Sequence, residues 1–204
     1  MRRELRLWTC ALCIGGAFVM PAQADEMPKY GGTLTYMIPE DSPPSFDAHR
    51  EETYATIHSA APFYSTLIRI NPDNPGSATD IVCDLCIEMP KPTDGGRTYT
   101  FKIRDDVKFH NGDQLTAEDV AASLNKVAFP PQGTLSPRST DFMMVKDITA
   151  PDELSVVIHL KFATSAFLPA LADPYNWIYQ KKVVAAENPI RAGADAAMGY
   201  IRAG

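Results

Sequence analysis

The clearest pattern of apolar and polar positions lies at residues 99–124, YTFKIRDDVKFHNGDQLTAEDVAASL. Tyr99, Phe101 and Ile103 alternate with Thr98, Thr100 and Lys102, the period-two arrangement of a strand with one buried face. Val107 and Phe109 resume the alternation after Arg104, Asp105 and Asp106, which suit a bend. Asn111 and Gly112 tolerate positive φ, so residues 110–113 read as a tight turn. Thr116 predicts a helix start, its hydroxyl placed to accept from the Asp119 N–H, with Glu118 and Asp119 at the positive end of the helix dipole. Val120, Leu124 and Val127 follow at i, i+4 and i+7 as one apolar face.

Weaker patterns flank this stretch. Leu34, Tyr36 and Ile38 alternate as a strand that Pro39 ends. Thr53 is placed to cap a helix from Tyr54, with Ile57, Ala61 and Tyr64 on one face and Pro62 shortening it. Residues 63–70 lead into a strand, residues 71–76 form a loop, and Asp94, Gly95 and Gly96 make a hairpin turn. Residues 129–137 read as loop. Residues 147–153 lead into a strand whose one face carries Leu154, Val156, Ile158 and Leu160. A turn and helix over 162–171 and an aromatic-rich run, Tyr175 to Tyr179, complete the pattern.

Composition narrows the class. With 204 residues, 45% hydrophobic and 22% charged, the chain is an ordinary globular one, and 17 prolines favour a loop-rich α/β protein over a helical bundle. The formal net charge of −6 lacks the basic face that phosphate contacts need, so no nucleic-acid partner is expected. Arg2, Arg3 and Arg6 precede an apolar core over residues 7–20, and Ala22, Gln23 and Ala24 supply a cleavage site. Residues 1–24 therefore read as a signal peptide cut after Ala24, with a periplasmic destination; the core is too short for a membrane anchor.

Cys83 and Cys86 remain after cleavage, spaced C-x-x-C. Three readings stand. A redox pair needs a helix starting just after the first cysteine. A zinc site needs two further ligands, and no second Cys or His pair has the spacing. A structural disulfide in an oxidising compartment, or two semi-buried thiols, asks least of the sequence. No nucleophile elbow, phosphate loop or H-E-x-x-H is present, so neither an enzyme nor a metal or other cofactor is expected. His110, in the turn, reads as a structural hydrogen-bonding residue.

The wording of the 99–124 stretch closely resembles the signature of the family 5 periplasmic solute-binding proteins of ABC transporters, which carry peptides, nickel and related solutes. Phe101, Arg104, residues 107–112, residues 116–120 and Ser123 all fit it. Gly31, Gly32, Thr33 and Leu34 are similar to the mature opening of such proteins, residues 64–69 to their Tyr-x-x-Leu-hydrophobic-Arg passage, and 148–160 to a second-lobe strand. Residues 80–90 depart from the family's wording, so it assigns no role to the cysteines. The resemblance covers roughly residues 31–182. It implies an α/β, periplasmic-binding-protein-like (type II, bilobal) fold, here incomplete, with mixed sheets and flanking helices.

On that reading, residues 25–190 form the N-terminal part of a solute-binding domain, with a small lobe at about 55–172 followed by a return toward the first lobe. Residues 191–204, rich in Ala, Gly and Arg, form an atypical tail where the family would continue. A truncated or frameshifted product is the expectation, a genuine short relative the alternative. The resemblance implies a peptide or other small solute and ABC permease subunits in the inner membrane as partners, with weak binding by this chain alone because relatives close the cleft with a further lobe. It places the loop of Ser45, Phe46, Asp47 and His49 along the ligand cleft. Tyr175, Asn176, Trp177 and Tyr179 offer either stacking surfaces for the ligand or an aromatic cluster at the lobe junction. The competing function is a small secreted redox or metal-binding protein that uses Cys83 and Cys86.

Overall fold

The computed structural model describes residues 31–186 except 34, 41, 134 and 135. The signal-peptide and tail assignments therefore lie outside the described residues. Two units are distinguished, Met1–Tyr36 and Met37–Gly204. In the first, the described glycines Gly31 and Gly32 both have positive φ.

The second unit is organised around a three-stranded antiparallel sheet and one long helix. Strand β3 (Thr98–Lys102) pairs with β5 (Ser155–Leu160), which pairs in turn with β4 (Val145–Asp152), giving the order β3-β5-β4. Register places Tyr99 opposite Ile158 and Phe101 opposite Val156, so the alternating apolar residues share one face. Helix α2 (Ala117–Ala128) lays Val120, Leu124 and Val127 against that face, each essentially inaccessible to solvent. Burying one such side chain contributes about 1.5–3 kcal/mol, so this stripe is the main hydrophobic anchor. Thr116 and Asp119 cap α2 reciprocally, the Asp119 carboxylate accepting both the N–H and the hydroxyl of Thr116.

Around this centre lie α1 (Tyr54–Ala60), the antiparallel pair β1 (Ile68–Ile70) and β2 (Ile81–Cys83), and the short helices α3 (Phe167–Leu171) and α4 (Lys181–Ala186). Thr53 caps α1 by accepting from the Thr56 N–H, and the helix stops before Pro62. The core is double. A main cluster joins the sheet, α2, α3 and β1, and a smaller one gathers Ala48, Ile57, Ala60, Tyr64, Trp177 and Tyr179.

Several expectations need correction. Residues 35–38 pair with no strand among the described residues, and Met37 is 90% exposed. Alternation alone does not make a strand without a neighbouring ladder to satisfy its backbone. Ala61 is exposed beyond the end of α1. Residues 147–153 are not a lead-in but most of β4, whose register shifts between Val145 and Asp147 and between Thr149 and Asp152. These bulges destroy the period of two that would reveal the strand, and Pro151 is tolerated in the second of them. Pro137, expected at the end of a loop, instead opens a 3-10 helix over Pro137–Phe142. In the turn at 110–113 only Gly112 has positive φ; Asn111 acts through its side chain, accepting from the Asp113 N–H. His110 is exposed and its ring has no hydrogen bond among the described residues, so the turn is not its work.

Cys83 and Cys86 are bonded as a disulfide, with Cα atoms 5.1 Å apart. Cys83 ends β2 and a turn follows, not the helix that would activate a redox thiol. The closed turn links the two sheets: the Asp84 carboxylate accepts from the Thr66 N–H before β1, and the Ile87 N–H donates to Lys102 of β3. Replacing both cysteines (Cys83→Ser, Cys86→Ser) should lower the unfolding free energy by about 2 kcal/mol, the chain-entropy value for so short a loop. Urea denaturation reads the difference; identical midpoints for variant and parent would remove this role.

Candidate functional site

The two segments singled out for ligand contact, residues 45–49 and 175–179, meet in the smaller core cluster although about 130 residues separate them. The Ala48 N–H donates to the Tyr179 hydroxyl (3.1 Å), and His49 Nε2 donates to the Trp177 carbonyl (2.8 Å). The Tyr175 hydroxyl donates to the Thr53 carbonyl (3.0 Å), which ties the second segment to the cap of α1. Trp177 stacks on Tyr64 with ring centroids 4.9 Å apart, and Tyr179 meets Tyr64 edge-on at 5.2 Å.

Within this junction the candidates differ sharply in exposure. Ser45, Phe46 and Tyr175 keep accessible surface. Ser45 Oγ donates to Glu51 (2.7 Å) and accepts from the Asp47 N–H, shaping the loop. His49, Asn176 and Trp177 are buried. Asn176 Nδ2 donates to the carbonyls of Ala170 and Leu171, satisfying the end of α3, and Trp177 lies inside the aromatic cluster. Of the two roles open to the aromatic run, Trp177 and Tyr179 fill the packing one.

The junction also contains charges that sequence reasoning passed over. Lys126 Nζ donates to Asp47 (2.9 Å), and the two side chains are only 6% and 3% exposed. Arg138 Nη2 donates to the carbonyls of Ala48 and Glu51, and its guanidinium lies 4.3 Å over the Tyr175 ring. The polar side chains of α2 hold the returning segment directly. Ser123 Oγ accepts from the Tyr179 N–H and donates to the Tyr179 carbonyl, while Asp119 accepts from the Lys181 N–H (2.7 Å). Asp119, Ser123 and Lys126 fall at i, i+4 and i+7, so a second, polar stripe was legible beside the apolar one. At the near turn, Gln180 bonds Asn111 and Asp113, and the hydrogen bonds from Lys182 and Gln180 hold the Asp113 carboxyl below the usual carboxylate range.

Burial, reinforced by the Lys126 charge, pushes the His49 imidazole down to about 4. Burial likewise raises the Tyr64 phenol above its ordinary value, with the Asp47 carboxylate adding to the effect. The neutral His49 ring carries its proton on Nε2, which leaves Nδ1 buried without a partner among the described residues. No group of three metal-ligating side chains is found among the described residues.

Two outcomes follow from these buried groups. His49 is neutral in the fold and becomes charged in the unfolded chain below its ordinary value near 6.5. The stability it contributes is complete above that pH and should fall by about 3 kcal/mol on acidification to about 4. His49→Gln should flatten this window in melts recorded across it, and an unchanged pH profile would refute the assignment. Lys126→Met strands the Asp47 carboxylate and should cost about 3–5 kcal/mol, whereas pairing it with Asp47→Leu should recover much of the loss. Denaturant titration of the two single variants, the double variant and the parent gives the coupling.

Comparison with known proteins shows where this architecture occurs. The family described as bacterial extracellular solute-binding proteins, family 5 Middle, matches residues 74–196. Di/tripeptide-binding protein 2 of Pseudomonas aeruginosa is 32% identical over 177 residues, covering 79% of this chain and 32% of its own length. A glutathione-binding protein of Pectobacterium atrosepticum is 30% identical, covering 83% of this chain and 30% of its own. Among solved structures, MoaA of A. tumefaciens R10 in complex with mannopinic acid superposes with a TM-score of 0.63 at 26% identity, over 71% of this chain and 29% of that one. Listeria monocytogenes OppA bound to peptide gives 0.62 at 20% identity, over 75% and 32% of the two chains, a likeness of fold. The fold is thus a partial type II periplasmic-binding-protein fold, and the chain spans about a third of the length of the relatives it matches. The chain belongs to family 5 of the bacterial extracellular solute-binding proteins.

Proposed function

We propose that this chain is the N-terminal portion of the solute-binding component of an ABC importer, exported to the periplasm and serving a permease in the inner membrane. A short peptide or a related small solute is the cargo. The observation that carries the reading is the family match through the stretch that holds the return segment, together with relatives named for di/tripeptides and for glutathione, itself a tripeptide. The role is binding and delivery, without a chemical step.

Solute contact falls to the members of the two converging segments that keep accessible surface. Phe46 and Tyr175 supply apolar and aromatic faces, and Ser45 a hydroxyl. Buried His49, Asn176 and Trp177 act by fixing the backbone beneath them. Binding proteins of this type close by hinge motion around the solute, so affinity depends on surfaces from both sides of the cleft. This chain supplies one of those sides.

The test is a titration of the full chain with di- and tripeptides and with glutathione, followed by amide NMR. Shifts centred on residues 45–53 and 175 at about millimolar solute are expected. Their absence with every solute would overturn the assignment of these residues, and submicromolar affinity would overturn the need for a second cleft wall. In the same preparation, the chain recovered from a periplasmic extract should begin at Asp25. Recovery of an intact Met1 terminus from the cytoplasm alone would refute export.

A further inference from the structure

On the other face of the return segment lies a second concavity that the binding reading does not use. Trp177 and Tyr179 project into the smaller aromatic cluster, but Ile178 between them projects into the main core. There it forms the floor of a cavity of about 110 Å³, walled by Leu85, Phe109 and Leu115. Three different parts of the chain build it: the turn closed by the Cys83–Cys86 disulfide supplies Leu85, the 107–115 hairpin supplies Phe109 and Leu115, and the return segment supplies Ile178. Dry apolar cavities of about 150 Å³ take up a benzene-sized molecule, so this one matches a single branched aliphatic group.

The rim is different in kind. Ser65, Lys108 and His110 line it, all exposed, and their side chains have no hydrogen-bond or ion-pair partner among the described residues. Nearby cations are paired by contrast: Arg104 with Asp106, Lys181 with Glu118, and Lys182 with Asp113. An apolar cavity whose mouth carries an unpaired ammonium and an unpaired hydroxyl complements a ligand that is branched and aliphatic at one end and anionic at the other.

We propose that this cavity binds a small branched aliphatic carboxylate, with the alkyl group against Leu85, Phe109, Leu115 and Ile178 and the carboxylate at Lys108 and Ser65. The site is separate from the segment junction proposed for transport cargo and stands whether or not that proposal holds. Its ligand chemistry has two sources, the C-terminal residue of a peptide and a free branched acid.

The full chain titrated with N-acetyl-leucine, 4-methylpentanoate and neutral N-acetyl-leucinamide, and followed by amide NMR, tests the site. Shifts at 85, 107–110, 115 and 178 are expected with the acids, and the amide should bind about fivefold more weakly, the size of one partly solvated charge pair. Lys108→Gln should remove that preference while leaving amide binding unchanged. Val107→Phe, at the half-buried lip, should block all three ligands while the amide spectrum away from the cavity keeps the parent's dispersion. Response to N-acetyl-leucine alone identifies a peptide terminus as the source, and response to 4-methylpentanoate alone identifies a free acid. Equal affinity for acid and amide in the parent chain, or acid binding untouched by both variants, would overturn the proposal.

Discussion

The structure depends on the way one helix satisfies an extended segment that no complete strand ladder pairs. Residues 176–180 are buried, and a buried backbone N–H or C=O without a partner costs about 1–3 kcal/mol. Helix α2 meets that cost along its length. Ser123 answers both backbone groups of Tyr179, Asp119 answers the Lys181 N–H one turn earlier, and Lys126 one turn later reaches Asp47 on the neighbouring loop. The other face of the same helix anchors the sheet. A helix with an apolar stripe and a polar stripe side by side therefore joins the main core to the smaller one, and the loop carrying Ser45 and Phe46 takes its position from that joint.

This gives the 99–124 stretch a physical meaning beyond family membership. Its strand supplies the centre of the core, its turn grips Gln180 through Asn111 and Asp113, and its helix grips Tyr179 and Lys181. Asp119 and Ser123, both within the signature, hold a segment that is remote in sequence and extended, with few backbone partners of its own. The signature encodes a joint between distant parts of the chain.

Legibility in the sequence tracks how local the determining physics is. The apolar stripe of α2 and the alternation of β3 and β5 were readable because the pattern and its cause lie in one short stretch. Strand β4 was hidden by two bulges, the first of which lets the buried Val145 and Ile148 stand three positions apart, and residues 35–38 find no ladder among the described residues. Within the two candidate segments, the sequence did not show that they meet or which of their side chains face solvent. Asn176 and Trp177 look like ligand contacts by type, and only the neighbours contributed by α3 and Tyr64 show them enclosed. Lys126 and Arg138 were overlooked for the opposite reason: charged side chains belong on the surface unless paired, and their partners lie 79 and 90 residues away.

The alternation of Trp177, Ile178 and Tyr179 between two separate cores has a consequence for how the chain can vary. In most edge segments a slip of one residue exchanges a buried face for a wet one. Here both faces are dry, and a single insertion or deletion would drive an indole or phenol into the aliphatic core and an isoleucine into the aromatic one. Neither volume fits the other's place, and the hydrogen bonds from Ser123 and Asp119 would meet the wrong amides. The segment is consequently locked in phase, and the spacing from Asn176 to Lys181 behaves as a fixed ruler between the two cores.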